Sequence, residues 1–153
     1  MYEILIVGGG PAGLTAAIYA ARAGKHVAVL ERGSSGGQII SAPLVENYPG
    51  IPSVSGTELA RQMTEQACTF GAEIVYTEAV GLEKTPAGFR VLCTDGVREA
   101  KTVILATGAA HRSLGLAAED ALTGCGVSYC AVCDGAFYEG LDVAVVGGGD
   151  TAG

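Results

Sequence analysis

Apolar residues fall along this chain in two rhythms, and most runs end at a glycine. Glu3 to Val7 is a short apolar run that meets Gly8, and an Ala-rich segment from Pro11 to Ala23 follows, closed by Gly24. The pattern predicts strand, tight turn, helix: proline suits the first helical turn, where its missing N–H is no loss, and glycine suits the left-handed residue after a helix. Val27 to Leu30 resumes an apolar strand that ends at Glu31, completing a βαβ unit with the helix as crossover. From Arg32 to Val54, Gly, Ser, Pro and Asn dominate, which predicts a long irregular connection of the kind that is functional or disordered in compact domains.

Ser55-Gly-Thr-Glu58 has capping-box spacing, and Leu59, Met63, Ala67 and Phe70 recur at helical intervals up to Gly71, so a second helix is expected. Glu73 to Thr94 and Val97 to Thr107 alternate or run apolar with β-branched residues. They are broken by Thr85-Pro-Ala-Gly88 and by Asp95-Gly96, the latter a strong hairpin signal. An antiparallel meander is expected there, its last part, Val103 to Thr107, returning to the parallel sheet. A loop from Ala109 to about Gly126 then carries a domain boundary, and Leu141 to Val146 is expected as the next strand, leading into Gly147. The fold class is therefore α/β. Residues 1–112 read as a Rossmann-like domain with a parallel sheet plus an antiparallel β-meander, and 113–153 as the start of a second Rossmann-like domain. Because the second glycine motif is cut at Gly153, the sequence reads as the front part of something longer.

Composition narrows the chemistry. Nine Lys plus Arg against sixteen Asp plus Glu give a net charge of -7, and the basic residues stand singly along the chain. Nucleic acid, which needs clustered cations to neutralise phosphates, is not the expected partner. No stretch reads as about 20 uninterrupted apolar residues, so no membrane span is expected. The apolar opening is broken by Gly-Gly-Gly-Pro and lacks a basic start, which points to a soluble cytoplasmic protein. Five cysteines without an export signal do not suggest a disulfide framework; redox or metal chemistry is the more economical reading of the close pair.

Three motifs carry that chemistry. In the first, Gly8, Gly10 and Gly13 open a helix after a strand, with Pro11 and Ala12 between them and Glu31 ending the next strand. Gly8 allows the sharp turn, Gly10 the close approach of a pyrophosphate and Gly13 close helix–strand packing, while the helix N-terminus offers N–H donors. Glu31 would accept hydrogen bonds from adenosine ribose hydroxyls and repel a 2′-phosphate, so FAD or NAD is preferred to NADP at this site. The second motif is Cys130-Ala-Val-Cys133-Asp134. A CxxC pair can close and reopen a small disulfide; a helix start, expected over Ala131 to Tyr138, would lower one thiol's pKa, and Asp134 could exchange protons with it. Zinc held by Cys125, Cys130, Cys133 and His111 is the competing reading, though a structural zinc site normally brings a second close ligand pair and none is present. Cys68 and Cys93 read as core, Cys68 in the second helix and Cys93 sharing a strand face with Phe89 and Val91. The third motif, Gly147-Gly-Gly149-Asp150-Thr151-Ala152, follows the expected strand and repeats the dinucleotide pattern.

With Gly36-Gly37-Gln38, Glu46-Asn47-Tyr-Pro-Gly50 and Ala106-Thr107-Gly108-Ala109 added, these segments resemble the low-molecular-weight thioredoxin reductases of bacteria, within the pyridine nucleotide-disulfide oxidoreductases. The resemblance spans almost the whole chain. It implies that the first domain holds FAD and the second NADPH, with Gln38 and Asn47 lining the flavin site. It implies that Cys133 is the thiol nearest the flavin, that Cys130 attacks the disulfide of thioredoxin, and that Asp134 is the acid. It also implies a homodimer that alternates between two domain orientations. Family members carry the rest of both domains beyond this point, so the 153-residue chain alone is expected to be inactive. Two alternatives stay open at this stage: a non-catalytic dinucleotide-binding module, and a reductase serving another dithiol or peroxiredoxin-linked partner.

Overall fold

In the computed structural model, which describes residues 1–149, contacts divide the chain into two units, Met1–Gly108 and Ala109–Gly153. The division falls ahead of the boundary expected after residue 112.

In the first unit, β1 (Tyr2–Val7), α1 (Pro11–Arg22) and β2 (Val27–Glu31) form the βαβ unit. They are joined by α2 (Gly56–Thr69), β3 (Glu73–Tyr76), β4 (Ala79–Thr85), β5 (Gly88–Cys93) and β6 (Gly96–Leu105). All strands lie in one six-stranded sheet of order β3-β2-β1-β6-β5-β4. β1 runs parallel to both neighbours, with Ile6 opposite Val29 on one side and Ile104 on the other. The period-two alternation of side chains then sorts the core. Ile6, Val27 and Val29 pack with Leu14, Ile18, Leu59 and Met63 of the two helices, while Leu5, Ala28 and Leu30 pack with Val91, Cys93 and Ala100. Every residue of β2 is buried, as expected of a strand covered on both faces.

Several expectations need correction. Glu73–Tyr76 is not part of the meander: it pairs parallel with β2, Ile74 opposite Val29, at the edge of the sheet. Only β4, β5 and β6 form the antiparallel part. Cys68 is exposed, not core. Leu59, Met63 and Ala67 define the buried stripe of α2, and the residue after Ala67 lies about 100° around the helix from it. Phe70 is also exposed, and the Arg22 guanidinium sits over its ring, 5.3 Å from the centroid. The long connection after β2 is not wholly irregular, for it contains a 3₁₀ helix at Gly37–Ser41 and isolated bridges Val45 to Val54 and Tyr48 to Ile51.

The second unit holds two single helical turns, α3 (Glu119–Leu122) and α4 (Ala131–Asp134), the latter continued by a 3₁₀ turn at Gly135–Tyr138. α3 lies inside what was expected to be a loop. Leu141 to Val146, expected as a strand, is not one: Leu141, Val143, Val145 and Val146 are 63–67% exposed. An extended segment becomes a strand only when a neighbour completes its hydrogen-bond ladder, and none of the described residues does so here. Among the described residues, no helix is long and apolar enough to cross a membrane.

Candidate functional site

The carboxyl ends of β1, β2 and β6 meet, and the first glycine motif sits where they do. Gly8 has φ +106, and a Cβ on it would collide with the Ala106 carbonyl, just past β6. A Cβ on Gly13 would strike the Gly8 carbonyl oxygen, so the first turn of α1 can pack this closely only without a side chain there. Gly10 is the N-cap of α1 and makes no side-chain cap bond, and Pro11 follows at the first helical position. The leading N–H groups of the helix are thus left for an anion, at the positive end of the helix dipole.

The long connection supplies the opposite wall. The Gly36 N–H donates to the Gly9 carbonyl at 2.7 Å, and a Cβ on Gly37, whose φ is +56, would lie 3.2 Å from the Cα of Gly10. Two glycine pairs, Gly9-Gly10 and Gly36-Gly37, therefore meet backbone to backbone, an approach that a side chain on Gly37 would crowd. Gln38 is the second residue of the 3₁₀ helix and is exposed; Asn47 is exposed in the loop between the two isolated bridges. Glu31 is buried at the end of β2, its Oε2 accepting from the Gly9 N–H at 2.7 Å and its Oε1 from the Gly33 N–H at 2.8 Å. Those bonds hold the carboxylate at the strand end, and each oxygen keeps a further lone pair for a ribose hydroxyl. Thr107 follows β6 beside Gly8, and Gly108 after it has φ +70; Ala109 opens the second unit. A glycine-lined cradle, an uncapped helix start and a strand-end carboxylate fit the adenosine diphosphate portion of a dinucleotide.

In the second unit Cys130 and Cys133 are joined in a disulfide, their Cα atoms 5.2 Å apart. Cys130 is the N-cap of α4, and its Sγ accepts from the Cys133 N–H at 3.2 Å. Ser128 ties this turn together: its hydroxyl donates to Asp134 Oδ2 at 2.6 Å and accepts from the Cys130 N–H at 3.1 Å. The zinc alternative is not met, because the two cysteines are bonded to each other. Among the described residues no cluster of three or more His, Cys, Asp or Glu side chains is placed to hold a metal ion. His111 stacks on Tyr129 instead, and Cys125 is a free, exposed thiol. Gly147 has φ +121, and Gly147 and Gly149 stand in open space; Asp150, Thr151 and Ala152 lie outside the described residues.

Sequence reasoning passed over two residues that the structure places in these sites and a third that lies close by in the second unit. Gly9 supplies the N–H that holds Glu31, and its role was hidden because the motif reads only the glycines on either side. Ser128 orients Asp134, with no spacing signature to announce it. Glu119 is the only buried residue among the described residues of the second unit.

The sequence profile of the pyridine nucleotide-disulphide oxidoreductases matches residues 2–153. The chain belongs to that family. Over 152 residues it is 45% identical to the thioredoxin reductase of Listeria monocytogenes, covering 99% of this chain and 48% of the relative. It is 46% identical to the thioredoxin reductase of Treponema pallidum over 99% of this chain and 50% of that protein. The crystal structure of thioredoxin reductase from Streptococcus pyogenes matches with a TM-score of 0.83 and 50% identity, over 90% of this chain and 45% of that one. The chain thus spans about half the length of the curated relatives it matches. Thioredoxin reductases of this family use FAD and NADPH, and the α/β sheet described above is their dinucleotide-binding fold.

Proposed function

We propose that these residues are part of an NADPH-dependent, FAD-containing thioredoxin-disulfide reductase, cytoplasmic and homodimeric, in which Cys130 and Cys133 cycle between disulfide and dithiol. The observation that carries this reading is the Cys130–Cys133 disulfide with Asp134 beside it, in a chain 45% identical to thioredoxin reductase over 99% of its length. On this reading residues 1–112 belong to the FAD domain and 113–153 open the NADPH domain. Gly8, Gly10, Pro11, Ala12 and Gly13 take the pyrophosphate of FAD, and Glu31 takes the ribose. Gly37, Gln38, Asn47, Thr107, Gly108 and Ala109 line the rest of its site. Gly147, Gly149, Asp150, Thr151 and Ala152 begin the NADPH site.

FAD held by the Gly8–Gly13 turn and Glu31 would supply the two electrons, drawn from NADPH, that open the Cys130–Cys133 disulfide, the two protons of the dithiol coming from the transferred hydride and from solvent. Of the resulting thiols, Cys130 attacks the disulfide of oxidised thioredoxin and forms a mixed disulfide. Cys133 then attacks the Cys130 sulfur, and the bond to thioredoxin breaks. The two protons of the dithiol end on the two thioredoxin sulfurs, one of them passed through Asp134, and the Cys130–Cys133 disulfide is restored. Ser128 holds the Asp134 carboxylate in place for that transfer.

The test uses the full-length protein. Cys130→Ser and Cys133→Ser are each expected to cut NADPH-driven thioredoxin reduction on the order of 10³-fold or more, with FAD still bound at one per chain. Retained reductase activity in both variants would overturn the assignment. A wild-type protein that binds FAD and reduces no disulfide would favour the binding-module reading.

A further inference from the structure

The second unit is organised around a charge. Glu119 is 4% exposed, and its carboxylate accepts from Ser113 Oγ at 2.7 Å, the Leu114 N–H at 2.8 Å, the Leu116 N–H at 3.1 Å and the Tyr129 hydroxyl. These donors come from two segments that flank α3, residues 113–116 before it and Tyr129 after it. Backbone donors and the Ser113 hydroxyl hold the carboxyl below the usual carboxylate range, the Leu114 N–H contributing most. Tyr129 is gripped on a second side, since the His111 ring stacks on it with centroids 3.5 Å apart and planes 16° apart.

Tyr129 directly precedes Cys130, the N-cap of the turn that brings the two sulfurs together. Where the chain enters that turn therefore depends on where the Tyr129 side chain is anchored. We infer that Glu119 is a positioning residue for the redox pair: by holding the Tyr129 hydroxyl it sets the entry into the Cys130–Cys133 turn and so favours the closed disulfide over the open dithiol. An anchored entry keeps the two thiols at bonding separation, and releasing it lets them drift apart, which lowers the effective concentration of one for the other.

The inference rests on the redox reading of the pair proposed above, but its test needs no cofactor turnover and no thioredoxin. The full-length protein is equilibrated in glutathione redox buffers, free thiols are alkylated, and the peptide carrying Cys130 and Cys133 is weighed. Two glutathione thiols reduce the disulfide to two thiols and leave as glutathione disulfide, so the buffer ratio at half-reduction reports the equilibrium. Glu119→Ala is expected to shift it about tenfold toward the dithiol, about 30 mV. Tyr129→Phe, which removes one hydroxyl and keeps the stacked ring, is expected to shift it about threefold in the same direction.

Melting temperatures are recorded alongside. A purely structural role would lower them and leave the equilibrium where it was, so values within twofold of wild type for both variants overturn the inference. Should Glu119→Ala fail to fold, the Tyr129→Phe equilibrium decides alone. If wild type titrates normally and still reduces no thioredoxin, the functional reading fails while the positioning role stands or falls on its own numbers.

Discussion

A single methyl group separates a working cradle from a blocked one at Gly13. A side chain there meets the Gly8 carbonyl, and neither the strand end nor the helix start can withdraw without breaking its own hydrogen bonds. Gly13→Ala is expected to destabilise the protein by about 1–3 kcal/mol, read from denaturant unfolding, and to lower the FAD carried through purification. Truncation next door acts through a different cause: Leu14 is fully buried among the helices, and Leu14→Ala should cost about 2–5 kcal/mol by opening a cavity, with less effect on the cradle itself. Charge at the residue scale shows in acid. The Arg98 guanidinium, donating to both Asp95 oxygens, and the Thr77 hydroxyl hold the Asp95 carboxyl far below its ordinary value; Arg61 and Gln62 hold Glu58 down at about 2. For groups depressed on folding, the stabilisation is complete above the unfolded value near 4 and fades as pH falls toward the folded one. Acid unfolding followed by circular dichroism should accordingly begin below about pH 4, and Asp95→Asn should flatten the pH dependence in that range while leaving neutral stability less altered than Asp95→Ala does.

At the scale of elements, caps and turns decide where structure starts. The Ser55 hydroxyl accepts the Glu58 N–H at 3.2 Å, but the Glu58 carboxylate turns to Arg61 and Gln62, so only half of the expected capping box forms. Ser55→Ala should therefore cost about 0.5–2 kcal/mol by thermal unfolding, the loss of a cap bond alone. Both hairpins place a glycine with positive φ as the first residue of the returning strand, Gly88 and Gly96, after two central residues. The Asp95-Gly96 signal was legible, though glycine serves one position later than in a two-residue Asp-Gly loop. β1, α1 and β2 were readable because their periodicity and punctuation agree. β3 was misread because a strand's own residues do not say whether its neighbour runs parallel or antiparallel; that is set by α2 as a crossover. Leu141 to Val146 looks like a strand for the same local reason and is not one, since none of the described residues completes a ladder with it. Glu119 could not be found from pattern at all: its importance lies in donors gathered by a loop, and nothing in its neighbours' types announces that.

For the molecule as a whole, the two units differ in what holds them. The first has apolar clusters on both faces of its sheet, the second a carboxylate hub, two single turns and a disulfide. Amide hydrogen exchange should be slowest in β1, β2 and β6, and fast through most of residues 109–149. Within the latter, Leu114 and Leu116, which donate to Glu119, should exchange more slowly than their neighbours, and Glu119→Ala should erase that contrast. β6 has a role at this scale that no other strand shares. Ala100 stands opposite both Phe89 and Tyr2, so one strand hands the sheet over from antiparallel to parallel pairing. A slip of one residue along β6 would swap Val103 and Ile104 between the two apolar clusters and take Ala100 off the position it shares with Phe89 and Tyr2. The strand thus couples two registers: any shift of β6 against β5 is carried unchanged into its pairing with β1, so the antiparallel and parallel halves of the sheet align together.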